Sequence, residues 1–453
     1  MTKSSVGALL VGCVVSCSSA SNGPSAGVAA AGAAGAAGSA GSAGSAGQGG
    51  AAGAPTDPTK ASTLSDEPGT TQSTDAVLSL GPNGDLLTGW ITKQSSGRTQ
   101  GRFVTSDDRG ASWSPLRPLP AVSHDDVVDI FAFHGASGQR LVAWQEWTSS
   151  AGAVSSVSID LATLAVDGTI SPPQVVFEAQ GGSIYDLPSG AVLDDGTPLI
   201  AATLFAPPTF RGSVVVRKAT PAAAEVTVTE PKTVGGAALA RLCRGGGALG
   251  VAFVEYGSGS KTTQVTLRRS ADQGTTWPAS LTTMVSEPGD ALTYAPVDCA
   301  TDGAGAWVLY QLSDKPDAST NKDGPHTVAI RLAHVAGDGV VDRRTSVTAV
   351  DEGGQFVTPR LAVGPGGRVD VVYIAGVAVT DPNGSLRVRS STDGGKSFDA
   401  PRTLQTGIAL APGRGGPTWL GDYMGAARDD GALLVAFANN AGGASHIQFL
   451  QSP

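Results

Sequence analysis

One pattern recurs seven times along this chain: an apolar strand, a tight turn with glycine, and a second apolar strand. The copies read VLSLGPNGDLLTGW, IFAFHGASGQRLVAW, GAVLDDGTPLIAAT, ARLCRGGGALGVAF, VDCATDGAGAWVLY, RLAVGPGGRVDVVY and MGAARDDGALLVAF. Their turn glycines are Gly84, Gly138, Gly196, Gly247, Gly303, Gly367 and Gly431. They stand about 50–65 residues apart, room for one four-stranded blade and its loops. Each copy supplies an inner hairpin, and a second hairpin downstream completes the blade. The fold expected is therefore all-β, a β-propeller of four-stranded antiparallel blades, seven-bladed with six as the alternative. After the last copy only three strands fit before Pro453, and residues 60–72 are placed to supply the fourth. Composition agrees: 62 Gly among 453 residues, 41% hydrophobic and only 15% charged suits a turn-rich sheet protein.

Three of the second hairpins carry a sharper signal. Ser106, Asp108, Gly110 and Trp113 fit S-x-D-x-G-x-x-W, as do Ser270, Asp272, Gly274 and Trp277. In Ser391, Asp393, Gly395 and Phe398 the closing aromatic is Phe. The aspartate is suited to accept turn N–H groups, the glycine to take positive φ, and the aromatic to pack between strands. These segments resemble the Asp boxes, or BNR repeats, of sialidase-like propellers. The likeness covers roughly residues 73–453 and includes Trp419-Leu420-Gly421-Asp422-Tyr423-Met424-Gly425, similar to a segment in the last repeat of bacterial BNR proteins. The resemblance implies structural Asp boxes at the end of the propeller away from its binding face.

It also implies a test for catalysis. Sialidases hold the sialate carboxylate with three arginines, attack with a tyrosine activated by glutamate, and protonate with aspartate. The first arginine belongs to an R-I-P segment, whereas here Ser73-Thr74-Asp75-Ala76-Val77 stands in its place. Arg241 and Arg360 lie on inner strands, read as different depths, and no third arginine stands out. Tyr423 is a nucleophile only by analogy.

Counting back nine residues from each turn glycine gives the channel mouth as Asp75, Asp129, Leu187, Ala238, Tyr294, Thr358 and Asp422, with Asp186 alongside. Converging carboxylates raise one another's pKa and can act as acid or nucleophile, ligate a cation, or accept from sugar hydroxyls. Each alone equally well caps a strand. Catalytic candidates are thus Asp422, Tyr423, Asp75 and Asp129. Candidates for ligand contact are Trp419, Tyr294, Tyr185, Asp186, Arg241 and Arg360. Two readings follow: a glycan- or protein-binding scaffold without sialidase catalysis, or a glycoside hydrolase using these carboxylates and tyrosine.

The remaining features set the surroundings. Residues 1–17 read as a lipoprotein signal with lipobox-like endings at Cys13 and Cys17, either of which is a candidate lipidation site. Residues 18–60 are an Ala/Gly/Ser tether with nothing to bury, and the propeller occupies 61–453. The expectation is a lipid-anchored domain on a bacterial cell envelope, meeting an extracellular or envelope glycan or protein and touching the membrane through its anchor only. A net charge of −9 without a basic run excludes nucleic acid. Cys243 and Cys299 hold equivalent inner-strand places, as a disulfide or as two buried thiols. No cofactor is expected: the five histidines lack zinc-like spacing, and calcium finds oxygen donors only in turns such as Asp194-Asp195-Gly196 and in the loop 314–326.

Overall fold

The computed structural model describes residues 61–453 apart from 121–125, 151–152, 210, 221–222, 230–234, 246–247, 258–260, 294, 302, 315–326, 349–351, 353, 379–380 and 411–418. The signal with Cys13 and Cys17, the tether, Tyr294 and most of the 314–326 loop lie outside the described residues. The strands assemble into seven four-stranded antiparallel sheets, each in meander order except at the seam. Blade 1 runs from its inner strand Thr70–Leu80 through Leu86–Gln94 and Thr99–Ser106 to Arg117–Pro118. The inner strands of blades 2 to 7 are Asp126–His134, Ile184–Val192, Gly236–Gly245, Asp298–Thr301, Gln355–Val363 and Gly425–Arg428. No α-helix occurs among the described residues. The protein is a seven-bladed β-propeller.

Both faces of a blade are covered by its neighbours, so its middle strands read as nearly unbroken apolar runs. In blade 2, Ile130 and Trp144 pack on Leu87 and Phe103 of blade 1. Trp90 of blade 1 meets Val435 and Phe437 of blade 7 in another cluster. Trp90 and Trp144 are fully buried, and each such side chain contributes about 2–3 kcal/mol through area removed from water.

The seam closes through the chain's first described residues. Ser62–Thr63 pairs antiparallel with His446–Ser452 as the outermost strand of blade 7. The amide of Leu64 donates to the Ile447 carbonyl at 2.8 Å, and the Ile447 amide donates to the Ser65 hydroxyl at 2.7 Å. A sheet edge that would stand open is thereby paired.

Candidate binding site in the central channel

The inner strands share an irregularity that shapes the channel. Pairing with the second strand slips between Thr74 and Val77, Val127 and Asp129, Asp186 and Ser189, Ala238 and Arg241, and Val357 and Arg360. Four non-glycine residues in these bulges are left-handed: Asp75 (φ 57°), Leu187 (53°), Leu239 (58°) and Thr358 (49°). Each costs on the order of 1 kcal/mol, and a bulge re-aims the side chains beside it. Freed amides are captured by side chains from other blades or the segments leading into them. Leu242 N–H donates to Ser189 Oγ at 2.9 Å, Leu361 N–H to Asp298 Oδ2 at 2.9 Å, and Ile130 N–H to the Tyr423 hydroxyl at 3.0 Å.

At this level four aspartates converge. Asp129 is 9% exposed, and burial raises its pKa well above the usual carboxylate range, with Asp186, Asp75 and Asp422 adding to the rise. Tyr423 Oη lies 3.1 Å from Asp129 Oδ1 and donates towards it and the Ile130 carbonyl. Burial, then the charges of Asp129 and Asp75, push the Tyr423 hydroxyl well above its ordinary pKa. Asp75 is buried and spoken for: Oδ1 accepts the Asp422 amide at 2.6 Å and Oδ2 accepts Thr74 Oγ1 at 2.9 Å. Asp75 therefore holds the segment leading into blade 7, while Asp186 and Asp422 are half-buried. Among the described residues, no three His, Cys, Asp or Glu side chains form a group able to hold a metal ion.

Below the aspartates, Arg241 and Arg360 line one cavity of about 140 Å³ together with Asp298, Phe131, Leu361 and Met424. Their spacing from the turn glycines sets these arginines at different depths. Both in fact follow directly on the bulge of their own strand, which brings them to one level. Arg241 Nε is 3.2 Å from Asp298 Oδ1, and its guanidinium stacks 4.2 Å over the Phe131 ring. Arg360 Nε donates to the Met424 carbonyl at 2.6 Å. Asp298 was not picked out from sequence. Its only local signal is its place directly before Cys299, whose sulfur is joined to Cys243 across blades 4 and 5.

Other candidates point elsewhere. Tyr185 turns into blade 3, where its hydroxyl donates to Glu225 Oε2 at 2.8 Å and its ring packs on Phe177. This removes Tyr185 from the channel, because burial between blades satisfies both its ring and its hydroxyl. Trp419 is half-buried, and its carbonyl accepts from the Gln72 side chain at 3.3 Å.

The three Asp boxes sit at the opposite end of the channel. In blade 1, Asp108 Oδ1 accepts the Ser112 amide at 2.8 Å and the Ser106 hydroxyl at 2.7 Å. In blade 4, the Thr276 and Ser270 hydroxyls and the Thr276 amide hold Asp272 down to a pKa of about 2. In blade 6, Asp393 makes the same set with Ser397 and Ser391. Each box also clasps the blade before it. A Cβ on Gly110 would stand 2.3 Å from Phe449 of blade 7, and one on Gly395 would stand 2.8 Å from Trp307 of blade 5. Gln273 beside the blade 4 box donates to Asp194 of blade 3 at 2.8 Å.

The strand order and the three boxes define the class, a seven-bladed β-propeller with Asp-box turns. Three solved structures can be set beside the chain. One is a protein of unknown function from Dyadobacter fermentans, 14% identical over 87% of this chain and 98% of that one, TM-score 0.49. A Hadza microbial sialidase is 12% identical over 86% of this chain and 67% of its own, TM-score 0.48. A sialidase of Trypanosoma rangeli is 10% identical over 86% and 58%, TM-score 0.48. No family model and no curated protein matches the chain.

Proposed function

We propose that this propeller is a recognition domain that binds a neutral, hydroxyl-rich glycan at the Asp186 and Asp422 end of its channel, without cleaving sialic acid. The observation that carries this is the state of Tyr423. A nucleophilic tyrosine needs a base and a lowered pKa. Here the hydroxyl is buried, engaged by Ile130 and Asp129, and driven upward by neighbouring carboxylates. Carboxylates at this level also repel an anionic sugar, whereas carboxylate oxygens are good acceptors for sugar hydroxyls.

A second reading, glycoside hydrolysis, draws on Asp129: a carboxyl whose pKa burial raises has the character of a general acid. The two part on a glycan panel scored for both binding and release of reducing sugar. Binding without turnover, lost in Asp422→Asn, is expected. Turnover that Asp422→Asn or Asp129→Asn abolishes would sink the recognition reading. The same proposal places the domain on a bacterial envelope through a lipid at Cys13 or Cys17. Labelled palmitate should be incorporated and should disappear when one of the two becomes alanine; no incorporation in the intact chain would exclude the anchor.

A further inference from the structure

A serine, a histidine and an aspartate stand in line between blades 1 and 2, and glycan recognition at the mouth uses none of them. Ser79 lies on the inner strand of blade 1, Asp85 directly before its second strand, and His134 at the end of the inner strand of blade 2. The Ser79 hydroxyl is 2.7 Å from His134 Nδ1, and His134 Nε2 is 3.1 Å from Asp85 Oδ2. Arg140 Nε donates to the same Asp85 oxygen at 2.8 Å, and its Nη2 pairs with Asp107 of the blade 1 Asp box. The group therefore sits at the Asp-box end of the channel, away from the four aspartates. Against the rise from burial, Arg140 and His134 hold the Asp85 carboxyl below its ordinary pKa. A carboxylate only accepts, so Nε2 carries the ring proton and Nδ1 offers its lone pair to the hydroxyl. Burial lowers the His134 pKa, against the pull of Asp85, which keeps the ring neutral near physiological pH.

We infer that Ser79 is a nucleophile, activated by His134 and oriented through Asp85, that takes the acyl group of a small carboxylic ester. The arrangement has the roles of an acyl-transfer triad: a nucleophile beside a base, and the base fixed by a third group. The side chains of His134 and Asp85 are only 3% and 11% exposed, whereas Ser79, the member that must meet a substrate, is half-buried. Joining the two blades does not require the hydroxyl, because Arg140 of blade 2 already holds Asp85 and Asp107 of blade 1. In the first step Ser79 Oγ bonds to the ester carbonyl carbon and its proton passes to His134 Nδ1. The tetrahedral adduct then expels the alcohol oxygen, which takes that proton and leaves an acyl-serine. Water repeats the sequence with Ser79 as the leaving group, releasing the carboxylic acid. A half-buried oxygen admits a short acyl group, and the alcohol of an ester leaves readily when one imidazole handles the proton.

The probe is p-nitrophenyl acetate, followed by mass spectrometry of the full chain. A stoichiometric burst of nitrophenolate should leave an acetyl group on Ser79, lost in Ser79→Ala and restored as a thioester in Ser79→Cys. His134→Gln removes the base and should slow acetylation about a hundredfold. Diisopropyl fluorophosphate, which modifies activated serines, tests the unaltered chain should that variant not fold, and Ser79 is the residue it should label. Acetyl groups on lysines alone would overturn the inference, as would a Ser79 untouched by the fluorophosphate or a burst that His134→Gln leaves at full rate. The hydroxyl would then serve only to meet the ring nitrogen. Glycan binding at the opposite end is scored separately, so either result stands whatever the mouth proves to bind.

Discussion

Asp160, on the third strand of blade 2, is fully buried; its Oδ2 accepts Ser158 Oγ at 2.6 Å, while Oδ1 has no hydrogen-bond partner. Burial, with Glu146 and Glu178 adding their charge, raises its pKa to about 7. Between the unfolded value of 3.8 and 7, the folded state holds a proton that the unfolded chain has released. Stability from this group is thus complete below pH 3.8 and falls as pH rises towards 7, by about 4 kcal/mol at most. Urea unfolding should show Asp160→Asn stabilising the domain by about 1–3 kcal/mol at pH 8 and hardly at all at pH 4. An equal difference at both pH values would mean that Asp160 does not titrate in this way. Tyr423 makes a second prediction at this scale. Tyr423→Phe strands the Ile130 amide and the Asp129 carboxyl, so it should cost about 1–3 kcal/mol while glycan binding persists. Loss of binding in a variant of unchanged stability would instead place the hydroxyl in the ligand site.

Among elements, the Asp box is a turn that also acts on its neighbour, since its glycine touches the preceding blade in all three cases. Asp108→Ala removes the acceptor for the Ser112 amide and should lower stability by about 1–2 kcal/mol, comparable to losing a helix N-cap, with ligand binding unaffected at the far end. Unfolding and binding titrations on the same variant check both halves. The boxes were readable in the sequence because their chemistry is complete within eight residues. So were the seven hairpins, which rest on local alternation and a turn glycine. The channel was less readable for a geometric reason. Counting from the turn glycine assumes hairpins of one length, but Gly245 pairs with Ala248 in blade 4, whereas Val363 pairs with Val369 in blade 6. That difference set Arg241 and Arg360 apart on paper. In blade 5 the same count reached Tyr294, outside the described residues, while the polar wall is made by Asp298, on an inner strand of four residues. The bulge is the frame that fixes depth, and nothing in the spacing of apolar residues marks it. Tyr185 misled for a related reason: a slip of one residue turns a side chain from the channel into the blade.

At the scale of the whole ring, two links act beyond the blades' own ladders, one between successive blades and one between the first described strand and the last blade. The Cys243–Cys299 disulfide spans a sequence separation of 56 and joins blades 4 and 5. On the loop-entropy account it contributes about 4 kcal/mol. Reduction, or Cys243→Ser with Cys299→Ser, should lower Tm by several degrees without dissolving the blades, as near-ultraviolet and far-ultraviolet circular dichroism would together report. An unchanged Tm would mean that the sheets alone fix this pair of blades. The seam is the other link. Ser62 and Thr63 belong to blade 7, whose inner strand begins at Gly425. Deleting residues 61–66 should leave that blade's outer edge bare, seen as early proteolysis near His446. The seam also gives the ring a history. The first described strand is the last strand of the ring to find its partner, because the segment it pairs with follows every other blade in the chain. Six blades can stack as they emerge, but the circle can be shut only once the strand from His446 has been made, and until then the opening segment waits unpaired.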